Sequence, residues 1–236
     1  MESKLQGFCF DLESDGFLFE SEHVWDLHLK DINDPNKQLH LHPFKDPKAK
    51  DKFIDFVKSY GERPLVIGHN ILGFDMFILR CLMDLDFQVG KKNGDTICGV
   101  SVQFVDTWYW SMYLHPDRLG HSIEYFGSVL GLEKLDFRGE SIRLGLIPAN
   151  AAHGLEFKKP SPLMTEYNKR DVDVNILVFK YLLKEHNSLY NGDFPPSHFR
   201  AGQKSFFLMS CQEYSGFKFD VEWALELRDI IAKDMD

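Results

Sequence analysis

Three short clusters hold the residues of this chain best placed to do chemistry. The first is Asp11-Leu12-Glu13, which closes the apolar run LQGFCFD at 5–11. That run reads as a strand. Side chains two apart on a strand point the same way, so both carboxylates project from one face at the sheet's edge. A strand entering a polar turn gives the same triplet, so the pattern carries little alone. The second cluster is Gly68-His69-Asn70-Ile71-Leu72-Gly73-Phe74-Asp75, where a short buried strand ends, a loop follows, and Asp75 falls on the first turn of an apolar helix. The helix macrodipole favours an acid there, and Asn70 suits a cap or turn. The third is Tyr167-Asn168-Lys169-Arg170-Asp171. Tyr167 and Asp171 are four apart and share a helical face. Asp171 lies on the apolar side with Val174 and Val178, where a carboxylate is costly unless paired or metal-bound.

The remaining polar candidates have plainer explanations. His69 beside Asn70 is expected to be a packed or turn histidine rather than a ligand, because a hard-cation site built of oxygens does not need it. His40 and His42 alternate on a presumed strand and are expected on a solvated face. Lys91, Lys92, Lys158 and Lys159 sit in loops, where solvated lysines are the expectation. Cys9, Cys81, Cys98 and Cys211 show no paired metal spacing and lie in or beside apolar runs, so reduced and mostly buried thiols are expected.

The elements that must position these clusters follow from periodicity. Strands are expected at 5–11, 16–30 and 38–42, with the turn-rich NDPNK between the last two, as an antiparallel meander. Helical spacing of Phe53, Phe56 and Val57 predicts a helix over 49–61, closed by Gly61. LVIG at 65–68 is a short buried strand and 74–85 an apolar helix. The polar loop GKKNGD precedes a strand at 99–106, with helical segments near 107–114 and 121–130. Residues 139–163 read as loop, and a long helix runs from about 163 to 186. Strands first, then helix–strand–helix alternation, predict an α/β sandwich with a mixed sheet.

The 236 residues suit one sizeable domain, or one domain with a short appendage. A 44% hydrophobic fraction with 21 Phe is enough for a packed core. No apolar run approaches the roughly 20 residues of a membrane span, and no signal-peptide pattern opens the chain, so a soluble, cytoplasmic protein is expected. The net charge of −9 argues against grip on nucleic acid by bulk electrostatics. It does not exclude a nuclease, since a site built of carboxylates is acidic until divalent cations fill it.

In this order and on these elements, D-L-E, N-I-L-G-F-D and Y-N-K-R-D together resemble the three motifs of the DEDD superfamily of exonucleases. That resemblance implies a ribonuclease H-like three-layer fold, a central mixed β-sheet flanked by helices. A sister group carries His five residues before the last Asp; that position here is Glu166, which places the chain in the tyrosine subclass. Within the superfamily it is most similar to proofreading domains of family A DNA polymerases, especially those of podovirus-type bacteriophages. VDTWYWSMYL followed by HSIEYFGSVLGL looks like the segment between the second and third motifs. QEYSGFKFDVEWALEL looks like the opening of a polymerase module. The implied division is an exonuclease domain at 1–197 and, at 198–236, a helical segment resembling the start of that module, the FPPS run at 194–197 serving as linker. By this reading the latter is dispensable for nuclease folding.

The resemblance implies a 3′→5′ exonuclease that hydrolyses terminal phosphodiesters of DNA, preferring single-stranded or frayed 3′ ends, within or beside a polymerase and, if viral, in the host cell cytoplasm. Four crowded carboxylates repel one another and raise their pKa values; two divalent cations relieve that repulsion and create the chemistry. Mg²⁺ suits the all-oxygen donors, with Mn²⁺ as substitute. The resemblance places Asp11 between the metals, Glu13 and Asp171 on the nucleophile-side ion, and Asp75 towards the other through water. It makes Tyr167 the residue that orients the attacking water. Asn70 and Phe74 are the candidates to touch substrate, Phe74 by stacking on a terminal base, although a buried core Phe fits that position equally well. Two rivals stand beside this reading: a stand-alone DEDD exoribonuclease that trims RNA, and a non-catalytic exonuclease-like module of a polymerase, which would be expected to lack at least one acid.

Overall fold

A computed structural model describes residues 5–91, 94–190, 194, 196–216 and 218–235. The chain opens with β1 (Gly7–Ser14), β2 (Val24–Asp31) and β3 (Gln38–Leu41), then α1 (Ala49–Lys58), β4 (Leu65–Gly68) and α2 (Asp75–Met83). A hairpin of β5 (Phe87–Lys91) and β6 (Gly94–Ile97) follows, then β7 (Val100–Asp106), α3 (Thr107–Leu114), α4 (Ile123–Leu130) and α5 (Phe137–Arg143). The last helices are α6 (Pro162–Leu189), α7 (Ser197–Ser215) and α8 (Val221–Met235).

The seven strands form one sheet in the order β3-β2-β1-β4-β7-β6-β5. The expected meander is present, with β1–β2 and β2–β3 antiparallel. β1–β4 and β4–β7 pair parallel, and the β5–β6–β7 edge is antiparallel. The sheet is therefore mixed and covered by helices on both sides, as expected. β1 shows why. Its even positions Phe8, Phe10 and Leu12 join Phe53 of α1 and Leu79 of α2 in one core. Cys9 joins Ile67, Val105, Trp110, Val174 and Val178 in the core beneath α3 and α6. A strand buried on both faces loses simple alternation and reads as a continuous apolar run. Asp11 and Glu13 follow Cys9 on the α6 side, past the point where that core ends.

Several expectations are corrected. The second strand spans only 24–31, because Asp15 ties down the turn before it: its Oδ1 accepts from Ser21 Oγ and from the Glu22 and His23 amides. The region around GKKNGD is the β5–β6 hairpin rather than a plain loop; Lys92 lies outside the described residues. The stretch 139–163 holds most of α5 and a 3₁₀ turn at Leu155–Phe157, with Asp136 capping α5 by accepting from the Gly139 amide. Among the cysteines, all free, Cys9 is buried, Cys81 is exposed, and Cys98 and Cys211 are half-buried. Among the described residues no helix is long and apolar enough to cross a membrane.

The expected boundary after 197 falls just inside α7, and α7 is built into the fold. Phe199 is fully buried against Tyr109 and Trp110. Phe207 is buried on the other side of the sheet and stacks on Phe77 at 5.8 Å. Between them the buried Gln203 donates to Phe104 O at 2.9 Å and accepts from the Asp106 amide at 2.6 Å. Packing divides after α7 instead. On α8 and the turn before it, Phe219, Val221, Trp223, Ile230 and Ile231 are exposed.

Candidate active site

Asp11 and Glu13 leave β1 on the face that α6 covers, and α6 returns Asp171 to meet them. One carboxylate oxygen from each lies within 4.8 Å of the others. Glu13 is 7% exposed and Asp171 6%, while Asp11 opens half-buried into a cleft of about 380 Å³. Asn70, His69, Trp108, Ser122, Lys134 and Asp171 also line that cleft. Burial, with Asp75 and Asp171 nearby, pushes the Asp11 carboxyl well above the usual carboxylate range. Burial, with Asp11 and Asp171, does the same to Glu13. Asp171 Oδ1 is buried with no hydrogen-bond partner. A crowded set of oxygen donors, raised in pKa and with one acceptor unsatisfied, is what a hard divalent cation needs, and these three acids would hold it.

Asp75 stands behind this trio. It begins α2 and is buried. Burial lifts its carboxyl to about 7. It is near enough to raise Asp11 but does not join the three-oxygen cluster.

The loop that delivers Asp75 is set by local chemistry. Asn70 takes the left-handed conformation, φ 63°, which Asn tolerates better than most residues. A Cβ at Gly73 would collide with the Asn70 side-chain oxygen, and one at Gly68 with Ile71, so the turn needs both glycines. Asp106 then fixes it, accepting from the Asn70, Leu72 and Tyr109 amides at 3.0–3.1 Å. His69 packs as expected, its Nδ1 2.9 Å from Thr107 Oγ1, and burial lowers its pKa to about 3.

Tyr167 faces a neighbouring cavity of about 530 Å³ rather than the cleft itself. Its ring stacks on Phe137 at 5.0 Å. Phe74 lines a third cavity, about 540 Å³, with Glu13, Phe17 and Leu155. Lys158 lines it too and donates to Asp15 O; Lys91 and Lys159 are exposed.

Two residues of this site have no mark in the motifs. Lys134 lines both the cleft and the Tyr167 cavity. Its Nζ is 2.7 Å from Asp171 Oδ2 and 4.7 Å from the Tyr167 ring centroid. Against the cost of burial, Asp171 and Tyr167 hold its ammonium above the ordinary lysine value. Asp106 is the other, and its place at the junction of a strand and a helix was its one sequence signal.

No family model matches the sequence, and no curated protein does. Solved structures share the fold. NrnC of Brucella melitensis, solved with bound Mg²⁺, gives a TM-score of 0.52 at 14% identity over 92% of this chain and 90% of its own. A nuclease solved in its apo form gives 0.54 at 13% identity over 91% of this chain and 88% of its own. The family B DNA polymerase of the archaeon Pyrobaculum calidifontis gives 0.54 at 19% identity over 90% of this chain, which spans only 29% of that polymerase. At such identities the likeness establishes the fold alone: a ribonuclease H-like mixed sheet flanked by helices.

Proposed function

We propose that this chain is a metal-dependent 3′→5′ exonuclease that removes nucleotides from DNA ends. One observation carries the reading: Asp11, Glu13 and Asp171 converge with an unsatisfied buried oxygen, and Asp75 backs them. Two Mg²⁺ ions, or Mn²⁺, supply when bound the lowered water pKa and charge compensation that phosphodiester hydrolysis requires. Asp11, Glu13 and Asp171 would hold them, with Asp75 acting from behind. Lys134 adds a fixed positive charge where negative charge builds at phosphorus. Asn70 and Phe74 contact the terminal nucleotide, Phe74 through the cavity it shares with Glu13. The preference for frayed 3′ ends and the proofreading role beside a family A polymerase rest on the resemblance of the three sequence motifs.

Tyr167 orients the attacking water. Burial, with Asp171 nearby, raises its pKa, so the phenol stays protonated and donates a hydrogen bond instead of acting as base. Tyr167→Phe is expected to reduce turnover by ~10²-fold or less, the scale of one hydrogen-bonding group. Single-turnover rates measure this, and a loss as deep as that of Asp171→Ala would assign the tyrosine a larger part.

A 3′-labelled single strand tests the whole proposal. Labelled mononucleotide should appear with Mg²⁺, cease with EDTA and return with Mn²⁺, and a frayed duplex end should be cut faster than a matched blunt one. Cleavage undiminished by chelator would sink it. A second reading, a self-contained nuclease trimming RNA, is favoured by the near full-length correspondence with NrnC and the apo nuclease. Matched DNA and RNA oligonucleotides separate the two. A non-catalytic module has no such support, since all four acids are present and three of them converge.

A further inference from the structure

We propose that Asp26, His40 and His42 form a second cation site, separate from the carboxylate trio, that takes a borderline divalent ion of the zinc type. One ligand atom from each lies within 4.8 Å of the others. His40 Nε2 is 2.8 Å and His42 Nδ1 3.4 Å from Asp26 Oδ2. Ligand atoms around a tetrahedral zinc ion, each about 2.0–2.1 Å from the metal, stand about 3.3 Å apart, so small shifts admit the ion.

His40 and His42 are half-buried beside Asp26 rather than on a fully solvated face, and sheet register explains it. His28 pairs with His40 across β2 and β3, and Asp26 and His42 are one pleat further along the same face. α6 covers that face and orients the carboxylate: Thr165 Oγ1 donates to Asp26 Oδ2 at 2.7 Å and Asn168 Nδ2 to Oδ1 at 2.9 Å. Fixing a ligating carboxylate from behind is how metal sites are commonly preorganised. His28, also buried, packs edge-on to His40 at 5.6 Å, and its Nδ1 has no partner.

Charge points the same way. Asp26 is 2% exposed, and among the described residues its ion-pair partners are imidazoles alone. A buried carboxylate without a permanent cation is costly. Neutral imidazole is the commonest metal ligand, and a set with two nitrogens favours zinc, cobalt or nickel over magnesium. The site opens on a cavity of about 410 Å³ lined by Trp25, Phe44 and Thr165, which leaves room for water as a fourth ligand. Bound there, the ion ties edge strand β3 to β2 and α6.

Cobalt separates this site from the carboxylates. The full chain, stripped with EDTA and returned to excess Mg²⁺ to occupy the oxygen site, is titrated with Co²⁺. The expected result is one equivalent retained after dialysis, a visible d–d band, and paramagnetically shifted imidazole N–H resonances, all displaced by Zn²⁺. His40→Ala with His42→Ala should abolish the band. If that pair fails to fold, His40→Gln and His42→Gln taken singly should each weaken Co²⁺ retention at least tenfold. Retention of no cobalt would overturn the proposal, leaving a hydrogen-bonded histidine–aspartate cluster only. So would a band unchanged in the variants.

Discussion

Asparagine in place of Asp11 is expected to lower turnover by ~10³-fold or more and yet leave the chain at least as stable in metal-free buffer. The loss exceeds what a single oxyanion donor is worth, because a metal ligand at the centre of the cluster goes with it. The stability half follows from the raised pKa values. An acid that titrates higher when folded binds more protons folded than unfolded, so stability falls as pH rises from the unfolded pKa through the folded one. For Asp75 that window runs from 3.8 to about 7, and Asp11 and Glu13 shift in the same direction. Thermal melts in EDTA should show the wild type losing stability between pH 5 and pH 8, the Asp11→Asn chain losing less, and Mg²⁺ reversing the wild-type loss. A variant markedly less stable at pH 8 without metal would make Asp11 a structural residue.

Phe199→Ala should destabilise the chain by about 3–5 kcal/mol, the cost of emptying a buried aromatic site. Against a typical total of about 5–15 kcal/mol, that is enough to leave a substantial unfolded fraction. A chain ending before α7 loses Phe199, Gln203 and Phe207 together and is expected not to fold. A chain ending at residue 216 keeps all three and should fold and cut, with less exposed apolar surface than the longer chain. Urea midpoints and gel filtration on the two truncations check this. A 1–196 fragment that unfolds cooperatively and retains nuclease activity would restore the boundary at 197.

Most of the scaffold was legible because strong periodic signals carry it. The runs giving β1, β4, α2 and α6 were read nearly in place, and the acid clusters fell where those elements end. What failed was short or polar. The strands Phe87–Lys91 and Gly94–Ile97 are brief and carry polar residues and the glycines Gly90 and Gly94, so pattern alone reads them as loop. α7 reads as an appendage because its buried face is sparse: Phe199, Gln203, Phe207 and Ser210 are spaced three and four apart among polar neighbours. Lys134 was invisible for a different reason. It lies between α4 and α5, and only the return of α6 makes it Asp171's partner. His40 and His42 were misread because alternation gives the face of a strand but not what covers it.

The meeting of β1 with α6 has a consequence for the chain as it is made. Asp11 emerges from the ribosome 160 residues ahead of its partner Asp171, and the helix that seals both cores follows later still. Contacts so far apart in sequence form only after the intervening loop is closed, which is slow. A chain that stops before α6 lacks Asp171, and one that stops before α7 leaves both cores open, so the acid cluster is among the last features of the fold to assemble.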